Sequence, residues 1–163
     1  LDDPARTGVA VVTTPEEMPV TETIELLSRL QAETGAHPAA VVANRVLPAR
    51  FNRREQAVFD RLDEVTDVLA EVAGDGVTTV VEAARLIEAR RSNGAEHLAR
   101  LRDALAADRR LTGDRPDGLP IVTLPELFSR ASGPRVVSLV GQALVEELDP
   151  DPVDGARRAS GSR

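Results

Sequence analysis

Short apolar runs alternate with longer amphipathic segments along this chain. Residues 9–13 (VAVVT) and 39–44 (AAVVAN) are short, apolar and rich in Val, which is typical of strands buried on both faces. Residues 121–124 (IVTL) form a third such run. Between the first two runs, apolar residues recur at helical spacing at Val20, Ile24, Leu27 and Leu30. The order strand, helix, strand predicts a parallel sheet, because parallel strands need a long crossover connection.

Two longer helical segments follow the second strand. The first has a capping-box pattern at residues 52–55 and then apolar positions in steps of four and three, at Val58, Leu62, Val65, Leu69 and Val72. The second has its apolar side at Leu98, Leu101 and Leu105. Glycines at 74 and 76 separate the two segments, so a helix–helix turn is expected there.

The two helical segments differ in charge. Residues 55–75 contain seven acids and one Arg, whereas residues 85–110 contain seven Arg and four acids. This difference favours an antiparallel helical hairpin. The preference is weak, because an exposed ion pair contributes only about 0–1 kcal/mol.

These patterns predict an α/β domain over residues 1–149. The expected strands lie near 8–13, 39–44 and 120–125, and the expected helices near 20–34, 52–73, 79–107 and 134–148. Pro19 is expected to interrupt the chain before the first helix. Residues 150–163 are dominated by Pro, Gly, Ser and Arg, a composition typical of a disordered tail.

Composition narrows the possible classes of function. Only 2% of residues are aromatic, so Val, Leu, Ile and Ala must fill the core. The chain has no Cys, and His37 and His97 stand alone, so we expect no metal site. The net charge of −7 argues against nucleic-acid binding. Because no apolar run approaches the ~20 residues that span a bilayer, we expect a cytoplasmic protein without direct membrane insertion.

All 20 basic residues are Arg. A Walker-type phosphate loop needs a Lys against the transferring phosphates, and the G-x-x-x-x-G-K-[ST] pattern is absent. The nearest string, GDGVTT at residues 74–79, has no Lys and no preceding strand, which favours a turn between helices. We therefore expect no ATP hydrolysis by this chain alone.

Polar residues follow each predicted strand, in the strings TTPEE, NRVLP and TLPEL. Ligands of open parallel sheets bind beyond these carboxyl ends. The amide of Asn44 offers a donor and an acceptor in one plane, as recognition of adenine requires, and Leu47 and Leu127 could form the walls of a slot. Backbone groups around Pro125 and Glu126 would complete the contacts. An Asn at this place is also a common turn former, so position alone leaves both roles open.

Adjacent carboxylates at residues 16–17 also follow the first strand. Such a pair could act as a general base or a metal ligand. The favoured role is structural, because Thr14-Pro15-Glu16-Glu17 has a capping-box pattern that accounts for Glu17 without chemistry.

Three segments in this order resemble the carboxy-terminal part of the ArsA-like anion-transporting and tail-anchored-protein-targeting ATPases. They are VAVVTTPEEMPVTETIELLSRL, AAVVANRVLP and LPIVTLPELFSRASGPRVVSLVGQAL, and the resemblance covers roughly residues 4–148. It implies a doubly wound, mostly parallel P-loop NTPase-type sheet with a helical insertion, in a dimeric ATPase that uses ATP with Mg. It also implies that Asn44 contacts adenine and that Pro125, Glu126 and Leu127 close over the base.

The resemblance leaves part of such an ATPase outside these 163 residues. The Gly-rich loop with its lysines and the magnesium-ligating Asp would lie upstream, so the expected partners are an upstream P-loop half of the same protein and a second ATPase subunit, in a homo- or heterodimer. The parent's ATP hydrolysis would be coupled to anion transport or protein targeting. The alternative function is a non-catalytic interaction module that uses the charged helices of residues 53–108. A receiver-like or flavodoxin-like domain is disfavoured, because TTPEE provides no Asp and the chain has no Lys.

Removing residues 150–163 should leave the melting temperature within about one or two degrees of that of the whole chain, because an unpacked tail contributes little to folding. Thermal unfolding followed by circular dichroism measures this. A large drop would show that the tail packs on the domain.

Overall fold

The computed structural model describes residues 7–74, 76–112, 118–127 and 133–148. The strands are β1 (Val9–Thr13), β2 (Pro38–Val46) and β3 (Ile121–Pro125). The helices are α1 (Glu17–Thr34), α2 (Arg53–Phe59), α3 (Thr66–Ala73), α4 (Gly76–Ala107), α5 (Arg109–Thr112) and α6 (Pro134–Leu148), with a 3-10 turn at Leu62–Val65. The expected tail, residues 150–163, lies outside the described residues.

The described strands form one three-stranded parallel sheet in the order β1-β2-β3. Val41 of β2 pairs with Val11 of β1 on one side and with Ile121 of β3 on the other. The predicted α/β class and the parallel sheet are therefore confirmed. The doubly wound arrangement and the insertion of a helical hairpin stay predictions.

Helices α1 and α4 cover one face of the sheet. Leu27 of α1 and Leu101 of α4 are fully buried against Val41 and its neighbours. The other face is covered only in part: α6 packs on β3, where Val122 is buried, whereas Val12 of β1 is 64% exposed. The β1 side of this second face thus remains open to solvent among the described residues.

The two edges of the sheet differ as well. At the outer edge of β3, the backbone N–H of Thr123 donates to the Glu147 carboxylate of α6 at 3.1 Å, and the Thr123 hydroxyl donates to the same oxygen at 2.7 Å. No described strand pairs with the outer edge of β1. An open, apolar strand edge is a place where another strand can pair.

Two helix boundaries differ from the sequence-based expectation. Helix α1 begins at Glu17 and includes Pro19, which was expected to interrupt the chain. Proline is tolerated there because backbone N–H groups of a first helical turn have no partner in the helix. The expected helix of residues 52–73 is divided into α2, the 3-10 turn and α3. The division follows Phe59, which is buried and stacks on Phe51 with ring centroids 4.8 Å apart.

One of the two predicted capping boxes forms. The Asn52 side chain accepts from the N–H of Glu55 at 3.0 Å, and the Glu55 carboxylate accepts from the N–H of Asn52 at 2.8 Å. Thr14 and Glu17 make no such pair of bonds in the described part of the chain. A box therefore closes the start of α2 but not that of α1.

Helix α3 packs against α4, and one ion pair joins the acidic and basic segments. Arg85 Nη2 lies 2.9 Å from Asp63 Oδ1, although the two groups are not aligned as a hydrogen bond. The Arg85 guanidinium also lies over the Phe59 ring, 5.6 Å from its centroid. Arg61 and Arg91 instead pair within their own segments, with Glu64 and Glu88. Charge complementarity between the segments thus adds little to the packing.

No helix in the described part of the chain has the length and apolar character needed to cross a membrane.

Replacing Leu101 by Ala should lower the free energy of unfolding by about 2–5 kcal/mol, because a fully buried Leu leaves a cavity between α4 and the sheet. Leu86→Ala on the same helix is the matched control. Its side chain is 73% exposed, so the change should stay within about 0.5 kcal/mol. Urea denaturation measures the free energy of unfolding of both variants. Equal decreases for the two would contradict the assignment of Leu101 to the core.

Candidate functional site

The central strand ends in a β-bulge. Ala43 pairs with Thr123 and Val46 pairs with Pro125, so β2 has one residue more than β3 over this interval. Within the bulge, Arg45 has a φ of 61°, in the left-handed region. That conformation costs a non-glycine residue about 1–2 kcal/mol, so neighbouring contacts must maintain it.

The bulge also fixes the side chain of Asn44. Its Oδ1 accepts from the backbone N–H of Arg45 at 3.0 Å. The amide nitrogen has no hydrogen-bond partner among the described residues. Asn44 thus has one anchored polar atom and one uncommitted donor at the carboxyl end of the sheet.

Four of the five residues that the sequence singled out for base recognition, namely Asn44, Pro125, Glu126 and Leu127, line a single cleft, which we call the β3–α6 cleft. It has a volume of about 230 Å³. Its described lining is Asn44, Arg45, Leu124, Pro125, Glu126, Leu127, Val136, Val140 and Ala143. The last three belong to α6, and sequence reasoning missed them because α6 shows only an ordinary apolar helix pattern.

The chemistry of the cleft is an apolar slot with a polar rim. Leu124, Leu127 and Val140 provide apolar walls, and Asn44 lies at the rim. Pro125 has no N–H, and the N–H of Glu126 already donates to the Val46 carbonyl at 2.9 Å. Neither residue therefore has a free backbone N–H for a base, so contacts from the backbone there would come from carbonyl oxygens or from neighbouring residues. Among the side chains that line the cleft, the Asn44 amide nitrogen is a donor without a hydrogen-bond partner in the described residues.

Leu47, expected as a wall of the same slot, instead lines a second cleft of about 180 Å³, here called the α4 cleft. This cleft lies between α4 and the ends of β1 and β2, and four arginines line it, namely Arg45, Arg90, Arg91 and Arg102. Gly94 lets helix α4 lie close to Pro15, because a Cβ at residue 94 would lie 3.3 Å from the Pro15 carbonyl oxygen. Glu16 faces the same space.

Glu126 joins the two clefts through a group of ion pairs, the Glu126 cluster of Arg45, Arg90 and Glu126. Its Oε2 accepts from Arg45 Nε at 3.0 Å and lies 3.5 Å from Arg90 Nη2. The Glu126 side chain is only 14% exposed. No sequence pattern indicates these contacts, since Arg45 and Glu126 are 81 residues apart.

The described residues do not offer a magnesium site. No group of three or more His, Cys, Asp or Glu side chains among them could hold a metal ion. Glu16 and Glu17 are both exposed and point into no shared cluster of that kind. The described residues thus form no carboxylate cluster of the kind that would hold magnesium through protein ligands alone.

The fold and the clefts define an α/β protein with a parallel sheet and open clefts at the carboxyl ends of its strands. Residues 1–107 match the sequence model of the anion-transporting ATPase (ArsA ATPase) family, and the chain belongs to this family. A comparison with curated proteins gives no match. Asn44 lies within the matched residues, whereas Pro125, Glu126 and Leu127 lie beyond them.

Proposed function

We propose that this chain forms the adenine-recognising side of an ATP site in an ATPase. The observation that supports the proposal is that Asn44, Pro125, Glu126 and Leu127 line one apolar cleft at the carboxyl edge of the sheet. This is the edge at which open parallel sheets bind ligands. Membership of an ATPase family supports a nucleotide as the ligand of this cleft.

The Asn44 amide suits a base edge. Adenine presents an acceptor beside an exocyclic amino donor, and a planar amide offers the matching donor and acceptor. Since Oδ1 is anchored to the Arg45 N–H, the free amide nitrogen has a fixed direction before any ligand binds. Oδ1 retains a second lone pair for the amino group. Preorganisation of this kind lowers the cost of binding.

The phosphates must be bound by other residues, because the chain has no Lys and no Walker-type loop. In our proposal, an upstream P-loop half of the same protein provides them, together with the magnesium ligands. Two features favour its position beside β1: the unpaired outer edge of this strand and the exposed Val12 next to it. A further parallel strand and a helix would cover both.

We further propose that the complete protein is cytoplasmic and works as a homo- or heterodimer. Its ATP hydrolysis would drive anion transport or protein targeting, as the family description and the resemblance of the sequence suggest.

A second candidate function is a protein-interaction surface on the helices of residues 53–108. It is favoured by apolar side chains that these helices leave exposed, among them Val58, Val68, Val72, Val80 and Leu86. Exposed apolar side chains of this kind are candidates for contact with a partner protein. This surface and the β3–α6 cleft share no lining residue, so the two functions are compatible.

Asn44→Ala should weaken ATP binding by about 1–3 kcal/mol in the protein that includes the phosphate-binding half, because the base edge loses its donor and acceptor. The preference for ATP over GTP should fall too, since the amide presents the wrong pattern to guanine. Isothermal titration calorimetry with both nucleotides measures these changes.

The control for this experiment is Asn93→Ala, an exposed Asn on α4 that lines neither cleft. It should change neither affinity nor preference. If Asn44→Ala unfolds the protein, or leaves both quantities as they were, Asn44 is only a bulge residue and the proposed site is wrong.

A further inference from the structure

We infer that Glu126 is a positioning residue of the base cleft, and that Arg90 acts through it to link helix α4 to nucleotide recognition. The inference rests on the proposed function. It concerns the Glu126 cluster, in which cations from two different elements meet one carboxylate oxygen.

The carboxylate is held rather than free. Glu126 follows β3 directly, and its side chain is 14% exposed while it lines the β3–α6 cleft. A charged group with so little access to water needs partners. Arg45 supplies a hydrogen bond of 3.0 Å from β2, and Arg90 supplies a second cation at 3.5 Å from α4. Without them, the carboxylate would lack partners for its charge and would no longer be held in place.

The backbone of the same loop is tied to the bulge. The Glu126 N–H donates to the Val46 carbonyl at 2.9 Å, immediately after the left-handed Arg45. Asn44, the proposed base contact, lies on the other side of Arg45. A displacement of Glu126 would therefore move its neighbours Pro125 and Leu127 relative to Asn44, and all three of these residues line the cleft.

A substitution of Arg90 can distinguish a positioning role of the Glu126 cluster from direct contact with the base. Arg45 and Glu126 line the β3–α6 cleft and could touch a base themselves, but Arg90 lines only the α4 cleft. We therefore expect Arg90 to act on base recognition through another residue, and the ion pair it makes among the described residues is with Glu126. Arg90 lies on the same helix as Gly94 and Leu98, which pack toward the sheet. A shift of α4 would thus move Arg90 and, through the ion pair, Glu126 in the wall of the β3–α6 cleft.

The test is a double-mutant cycle on ATP and GTP affinity in the protein that includes the phosphate-binding half. Arg90→Gln should weaken ATP binding about twofold to fivefold, as a partly exposed ion pair permits, and should lower the ATP/GTP preference. In the Glu126→Gln background the same substitution should have no further effect. Arg90→Lys should restore most of the affinity. In steady-state kinetics, Arg90→Gln should raise KM and leave kcat unchanged, since the phosphates are bound elsewhere.

Two controls accompany the cycle. Arg102→Gln removes an arginine that lines the α4 cleft but has no ion pair with Glu126, and Arg29→Gln breaks the exposed pair with Glu33 on α1, whose N···O distance is 2.9 Å. Both should leave nucleotide affinity unchanged. Circular dichroism checks that each variant folds.

Three results would overturn the inference. Arg90→Gln could leave affinity unchanged while Asn44→Ala lowers it, in which case the proposed function stands and Glu126 has no positioning role. The effect of Arg90→Gln could persist in the Glu126→Gln background, or Arg102→Gln could match it, and both results would show general attraction of phosphates. If Asn44→Ala is also without effect, the proposed function fails together with this inference.

Discussion

The pairing of β2 with a parallel strand on each side is the constraint on which the rest of the structure depends. Val41 and Ala43 of β2 are fully buried, and their neighbours in β1 and β3 align with them in register. This register brings the ends of the strands to one edge of the sheet. The single extra residue at the end of β2 then turns Asn44 and Arg45 out of the ladder, toward the two clefts.

The packing around this sheet is unequal. One face is closed by α1 and α4, and the outer edge of β3 is covered by Glu147 of α6. Val12 of β1 is exposed, and no described strand pairs with the outer edge of β1. Covering such a surface removes apolar area from water, which is worth roughly 25 cal/mol per Å². Our proposal places the phosphate-binding half on this same side of β1. Its packing there would both stabilise the fold and complete the nucleotide site.

The sequence was informative where a local pattern determines the structure. Runs rich in Val predicted all three described strands, and the capping box at Asn52 predicted the start of α2, because each depends on neighbouring residues. The positions of Asn44 and of residues 125–127 followed from the rule that ligands bind beyond parallel strands. The structure places these residues around one cleft, while their role in binding a base stays a prediction.

Features that depend on distant contacts could not be predicted. Burial of Phe59 against Phe51 divides the expected long helix, although the apolar spacing favoured Val58, which is exposed. The bulge needs the partner strand to define it, and the Glu126 cluster joins residues far apart in sequence. Leu47 was misplaced for the same reason, because the bulge directs it to the α4 cleft.

The central claim is that adenine binds in the β3–α6 cleft. A crystal structure of the protein that includes the phosphate-binding half, with a non-hydrolysable ATP analogue, tests it most directly. We predict that the base lies between Leu127 and the apolar residues of the cleft, with its edge on the Asn44 amide. A base bound elsewhere, with the Asn44 amide facing solvent, would contradict the account.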